Sequence, residues 1–133
     1  MVASEVSALT GACMAMRREL FHNIGGFSAR SLQRTFNDVD LCLKARAYGK
    51  KNIFTPFATL IHHESATDGG DVKLKNFERL QREVEYMYRT WGLLQDDPHY
   101  NVNLSLDGAS FSPSFPPRRS RPWQINEEES FAG

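Results

Sequence analysis

Two short segments hold the side chains best suited to chemistry. The first is Phe36-Asn37-Asp38-Val39-Asp40. A carboxylate in the first turn of a helix sits at the positive end of its dipole, so Asn37 or Asp38 can simply cap a helix there. The same position also suits a base at the mouth of a pocket, where backbone N–H groups fix the carboxylate in direction. Aspartate is a weak base, with an ordinary pKa of ~3.9. It is useful only if the proton leaves late, once a substrate hydroxyl is already bonding to an electrophile. Asp38 and Asp40 also spell D-x-D, a spacing that can bind a divalent cation. On a helix, residues two apart diverge, and the cation reading is set aside.

The second segment is Ile61-His62-His63-Glu64-Ser65, followed by Asp68-Gly69-Gly70-Asp71. Adjacent histidines at a strand end point to opposite faces, so one faces a core and the other a cleft. His62 is placed to complete the shell of a hard divalent ion held mainly by carboxylates and phosphate, or to bond a phosphate directly. A hydrogen-bonded structural histidine is the plainer alternative. Upstream, Gly25-Gly26-Phe27 reads either as a helix end or as a turn whose missing side chains admit a bulky ligand.

These segments need elements to hold them. Val6 to Met16 is apolar, rich in small and β-branched residues and broken by Gly11, which predicts one bent strand or two short ones. Arg17 to Ile24 predicts a short helix that buries Leu20, Phe21 and Ile24 and ends at Gly25-Gly26. A second helix is expected from Asn37 or Asp38 to about Tyr48, with Val39, Cys42 and Leu43 on one face and Gly49 as its stop. Asn52 to Thr55 and Ala58 to His62 read as short strands, separated by Pro56. The strongest periodicity runs from Val72 to Trp91: Leu74, Phe77, Leu80, Val84, Met87, Tyr88 and Trp91 recur at steps of three and four. Such a stripe predicts a helix packed on the core, capped by Asp71 and stopped by Gly92.

Composition sets the outer limits. With 133 residues there is room for one compact domain. Sixteen basic and sixteen acidic side chains cancel, which argues against nucleic acid as a partner. Cys13 and Cys42 lie among apolar neighbours without a CxxC partner, so both are expected as buried free thiols. No apolar run approaches the ~18 residues of a membrane span, and no signal-peptide layout opens the chain, so a cytoplasmic protein is expected. After Leu106 the composition shifts. Residues 107–133 hold four of the six prolines, a basic cluster and an acidic one, and read as an extended or disordered tail with Phe111, Phe115 and Trp123 as candidate anchors.

Taken in order, Thr10-Gly11-Ala12-Cys13-Met14, Arg17-Arg18-Glu19-Leu20-Phe21, Ile24-Gly25-Gly26-Phe27, Phe36-Asn37-Asp38-Val39-Asp40-Leu41-Cys42-Leu43-Lys44, Thr55-Pro56-Phe57-Ala58 and His62-His63-Glu64-Ser65 form a recognisable series. It resembles the C-terminal part of inverting family 2 glycosyltransferases of the GT-A fold, and most of all the rhamnosyltransferase-like members that build bacterial surface polysaccharides. The resemblance covers about residues 6 to 112. It implies an α/β fold in which residues 1–106 form the acceptor-side half of a Rossmann-like GT-A domain, with mixed short strands and three helices.

The same resemblance implies roles. Asp38 matches the catalytic base. Gly11, Gly25, Gly26, Asn37 and Asp40 fall in the acceptor and donor-sugar pocket. His62, with His63 as the fallback, approaches a Mg²⁺ or Mn²⁺ ion, and Glu64 and Ser65 lie in the loop beside the diphosphate. The expected partners are a nucleotide-sugar donor and a glycan or lipid-linked acceptor, the latter bringing the chain to the inner face of the membrane. Asn37 departs from the family, standing where Glu is common. The family's nucleotide-binding half and its D-x-D motif have no counterpart here, so the chain alone is expected to be inactive. Two other readings compete: a non-enzymatic module that binds carbohydrate or a partner and dimerises through an open edge and apolar surface, and a small metal-dependent hydrolase built on His62 and His63.

Overall fold

The computed structural model describes residues 2–61, 73–92, 97–106, 111–116 and 118. The chain divides into two units, Met1–His99 and Tyr100–Gly133. In the first, strand β1 (Ser4–Val6) leads to a 3-10 turn (Gly11–Cys13), helix α1 (Arg18–Asn23), helix α2 (Asn37–Ala47), strand β2 (Asn52–Phe54) and helix α3 (Lys73–Trp91). Among the described residues the architecture is a mixed α/β arrangement of three helices and a two-stranded antiparallel sheet in the register Ser4↔Phe54, Glu5↔Ile53 and Val6↔Asn52.

Glycines end the helices. Gly25 and Gly26 both take positive φ, and their N–H groups bond back to the carbonyls of His22 and Phe21 at 3.0 and 2.8 Å. This closes α1 with a Schellman motif. Gly49, at φ 75°, ends α2 the same way, with bonds from Gly49 N to Arg46 O and from Lys50 N to Ala45 O. Helix α2 is the centre of the unit. Asp40, Leu41, Cys42 and Leu43 are buried in succession, with Ala45 beyond them, so the helix is covered around its whole circumference. Leu32, in the α1–α2 loop, adds to this core. Asn52 anchors the sheet to it, its Nδ2 donating to the carbonyls of Ser7 (2.9 Å) and Cys42 (3.1 Å).

Several expectations need correction. Val6 to Met16 is strand only as far as Val6; the backbone N–H of Gly11 donates to a side chain of α2 rather than to a strand. Residues 58–61 form no strand and are exposed, because no described segment offers them a ladder. Leu20, Phe21 and Ile24 are half-buried rather than core. Cys13 is exposed on the 3-10 turn, whereas Cys42 is buried beside the Leu9 backbone, and that burial raises its thiol pKa. The predicted Val72 and Asp71 start of α3 lies outside the described residues.

The largest correction concerns α3. Its periodicity is real, but Phe77 is 58% exposed, Val84 46% and Tyr88 54%. The helix meets the core through polar groups instead. Glu83 is 1% exposed, and its carboxylate accepts from the backbone N–H groups of Gln33 (3.0 Å), Arg34 (3.3 Å) and Thr35 (2.9 Å). No helix among the described residues is long and apolar enough to cross a membrane.

In the second unit, Leu104 and Pro113 form an antiparallel bridge, supported by bonds from Ser105 N to Ser112 O and from Ser114 N to Asn103 O. The Arg118 guanidinium lies 5.4 Å from the Tyr100 ring centroid. Phe111 and Phe115 are exposed. The expected tail boundary at 107, and Trp123, lie outside the described residues.

The Glu83 clamp predicts an acid limb. Burial alone would raise this carboxyl, but the N–H donors of Thr35, Gln33 and Arg34 outweigh it and hold the carboxyl below its ordinary value. A lowered folded value contributes stability that is complete above the unfolded value of ~4.3 and is lost as pH falls through it toward the folded value. Urea midpoints should therefore drop below about pH 5, and the drop should be shallower in Glu83→Gln.

Candidate functional site

The first turn of α2 is built under strain. Phe36, the residue before the helix, is held at φ 63°, a left-handed conformation costing about 1–3 kcal/mol for a residue with a Cβ. It turns the chain so that Asn37 and Asp38 open the helix. The Asn37 side chain accepts from the Asp38 N–H at 2.8 Å. The Asp38 carboxylate is fixed at both oxygens: Oδ1 accepts from the Val39 N–H at 2.8 Å and Oδ2 from the Gly11 N–H at 2.7 Å. Two bonds leave lone pairs to spare, since a carboxylate offers about four acceptor sites.

Gly11 is where a side chain would not fit easily. A Cβ there would stand 3.3 Å from the Asp38 Cβ and 3.5 Å from its Oδ2. Thr10 holds the turn, its hydroxyl accepting from the Ala12 N–H at 3.4 Å.

Asp38 opens onto a cleft of about 610 Å³, within the usual range for small-molecule sites. The 3-10 turn forms one wall, through Thr10, Gly11 and Ala12, and Asn37, Asp38 and Leu41 form another. Phe21 and Phe27 supply an aromatic wall, their rings edge to face at 5.4 Å. Arg18 brings a cation to the rim.

Of the expected pocket residues, Gly11, Asn37 and Asp38 meet at this cleft. Gly25 and Gly26 do not line it. Gly26 shapes its aromatic wall from behind: a Cβ there would lie 2.9 Å from the Phe21 ring. Asp40 does not line it either, and its assignment to the pocket is corrected. Its carboxylate is wholly buried. It accepts from Ser28 Oγ (2.9 Å) and Trp91 Nε1 (2.9 Å) and pairs with Lys44 Nζ at 2.9 Å. Lys44 also reaches the Gly26 carbonyl and Ser28 Oγ, and Tyr86 OH donates to the same Ser28 oxygen. Asp38 and Asp40 thus serve different surfaces, as their spacing on a helix requires.

His62, His63, Glu64 and Ser65 lie outside the described residues. Among the described residues, no group of three or more His, Cys, Asp or Glu side chains is placed to hold a metal ion. Phe27 and Arg18 line the cleft although the sequence reading assigned their side chains no role there. Phe27 follows the glycine pair directly, and that adjacency was the available signal.

No family model matches the chain, and no solved structure matches it. It is 45% identical over 111 residues to the uncharacterized protein y4gI of Sinorhizobium fredii, covering 83% of this chain and 12% of that protein. It is 37% identical over 100 residues to the O-antigen biosynthesis protein RfbC of Myxococcus xanthus, covering 74% of this chain and 8% of that protein. It is 33% identical over 66 residues to the N-acetylglucosaminyl-diphospho-decaprenol L-rhamnosyltransferase of Mycobacterium tuberculosis, covering 50% of this chain and 21% of that protein. The chain therefore spans about a fifth or less of each relative. Two of these names point to a glycosyltransferase-like family.

The two acids of this helix should separate by stability. Asp40→Ala leaves Lys44 without its buried partner and should cost about 3 kcal/mol. Asp38→Ala removes a first-turn bond and the exposed bond from the Gly11 N–H and should cost about 1 kcal/mol. Urea denaturation of both variants at neutral pH measures the difference.

Proposed function

We propose that this chain is the acceptor-side part of an inverting, GT-A-type family 2 glycosyltransferase of bacterial surface-polysaccharide synthesis. It would transfer a sugar from a nucleotide-sugar donor to a glycan or lipid-linked acceptor. The observation that carries the reading is Asp38, anchored at both oxygens by backbone N–H groups and lining a ligand-sized cleft. The similarity to the O-antigen biosynthesis protein of Myxococcus xanthus and the rhamnosyltransferase of Mycobacterium tuberculosis supports it.

In the reaction, the acceptor hydroxyl attacks the anomeric carbon of the donor. The bond from that carbon to the diphosphate breaks, and its electron pair leaves with the diphosphate. Asp38 takes the hydroxyl proton as the new C–O bond forms, which is late enough for a weak base. Its backbone anchors hold the accepting oxygen in place without further ordering. Gly11 keeps space open beside that oxygen. Phe21 and Phe27 offer apolar surface to the C–H face of a sugar ring.

A divalent ion, when bound, would neutralise the departing diphosphate. The described residues supply no ligand set for it. The chain's proposed contribution there is His62, or His63 in its place, with Glu64 and Ser65 beside the diphosphate. Donor binding is assigned to a nucleotide-binding half that the two-stranded sheet of the described residues does not provide.

A graft tests the assignment. Replacing the matched 100-residue segment of the Myxococcus protein with the corresponding residues of this chain should preserve O-antigen synthesis, and adding Asp38→Asn should abolish it. Synthesis that survives Asp38→Asn would show that Asp38 is not the base.

One observation favours a second reading, a non-enzymatic binding module that dimerises. Phe77, Leu80, Val84 and Tyr88 form a continuous exposed face on α3, and such faces mark association surfaces. Under this reading, sedimentation at micromolar concentration gives a dimer that Leu80→Glu converts to monomer. A wild-type monomer removes the reading.

A further inference from the structure

A second cleft, of about 210 Å³, lies between the α1–α2 loop and α3. It is smaller than the ~300–1,000 Å³ of sites for drug-sized ligands. Its lining is strongly cationic, with Arg30 from the loop and Arg79 and Arg82 from α3. Arg79 and Arg82 are three residues apart, the spacing that places helical side chains on one side.

Two of these three cations are not consumed within the fold. Arg30 and Arg82 make no hydrogen bond or ion pair among the described residues. Arg79 is partly engaged: its Nη1 donates to Asn76 Oδ1 at 3.0 Å and its guanidinium pairs with Glu83 at 3.6 Å, while its Nε is buried without a hydrogen bond. The one acid in the lining is Glu83, whose oxygens are already engaged by three backbone N–H groups. Three arginines against one carboxylate leave two positive charges in surplus. Ser31 and Gln33 add neutral donors at the same wall.

The wall is also held in place. The Ser31 and Leu32 N–H groups bond to the Ser28 carbonyl at 2.9 and 2.8 Å, and the next three residues are tied to Glu83. Arg30 is thus presented from a pinned turn, which lowers the ordering cost of binding.

We propose that this cleft binds a phosphate or diphosphate group. Guanidinium forks match phosphate oxygens in pairs, and a surplus of two charges fits a dianion better than the single charge of a carboxylate. The proposal stands apart from the Asp38 cleft and does not depend on sugar transfer.

Inorganic pyrophosphate in solution and phosphatidylcholine vesicles carrying a polyprenyl phosphate are the two probes, titrated against the purified chain at low salt. Saturable binding of either probe, weakened about tenfold or more in Arg30→Gln/Arg82→Gln, is expected. Arg30→Lys/Arg82→Lys keeps the charge but loses the fork, and should fall between wild type and the Gln pair. Tighter binding to the vesicles identifies a lipid-borne phosphate; tighter binding to pyrophosphate identifies a soluble one. Both arginines are exposed, so the variants fold, which far-UV circular dichroism checks. Absence of saturable binding to both probes, or equal binding by wild type and the Gln pair, overturns the proposal.

Discussion

The first unit is organised around a carboxylate that cannot reach water. A buried charge is tolerated only when its partners come to it, since an unpaired ion in a low-dielectric interior is very costly. Asp40 draws in Ser28 from the α1–α2 loop, Lys44 from the next turn of its own helix and Trp91 from the end of α3. Lys44 extends the network to the Gly26 carbonyl, and Tyr86 joins it at Ser28. One acid therefore ties together the glycine turn, the loop, the central helix and the last helix. Glu83 repeats the arrangement from the opposite side, offering a carboxylate from α3 to the backbone of the loop.

This polar framework sets the rotation of α3. The groups that must be buried are Glu83 and the indole N–H of Trp91, so the helix turns them inward. The apolar residues at 77, 80, 84 and 88 are then carried to the outside. The same framework steadies the candidate site. With α2 held through Asp40, its first turn is fixed, and the Asp38 carboxylate meets the N–H of Gly11 without a side chain between them.

The readable features were those with local causes. Gly25-Gly26, Gly49 and Gly92 marked helix ends because positive φ is a property of the residue itself. Asp38 could be placed at the start of a helix because capping is a matter of a few residues. The features missed had distant causes. Periodicity along α3 showed which face was apolar but not what would lie against it. The resemblance placed Asp40 in the sugar pocket, yet its role depends on Trp91, which lies 51 residues away. Residues 6–16 carried strand-like composition, but a strand needs a neighbour, and the N–H of Gly11 went to Asp38 instead.

The pairing of β1 with β2 also has a kinetic side. Three residues near the start of the chain meet three others after both α1 and α2 have intervened. Closing a loop of that length costs roughly 3 kcal/mol of chain entropy before any contact repays it. A ladder this short repays little, so β1 adds last, onto a surface that α2 and Asn52 have already assembled. The strand is then a latch on finished helices rather than a nucleus.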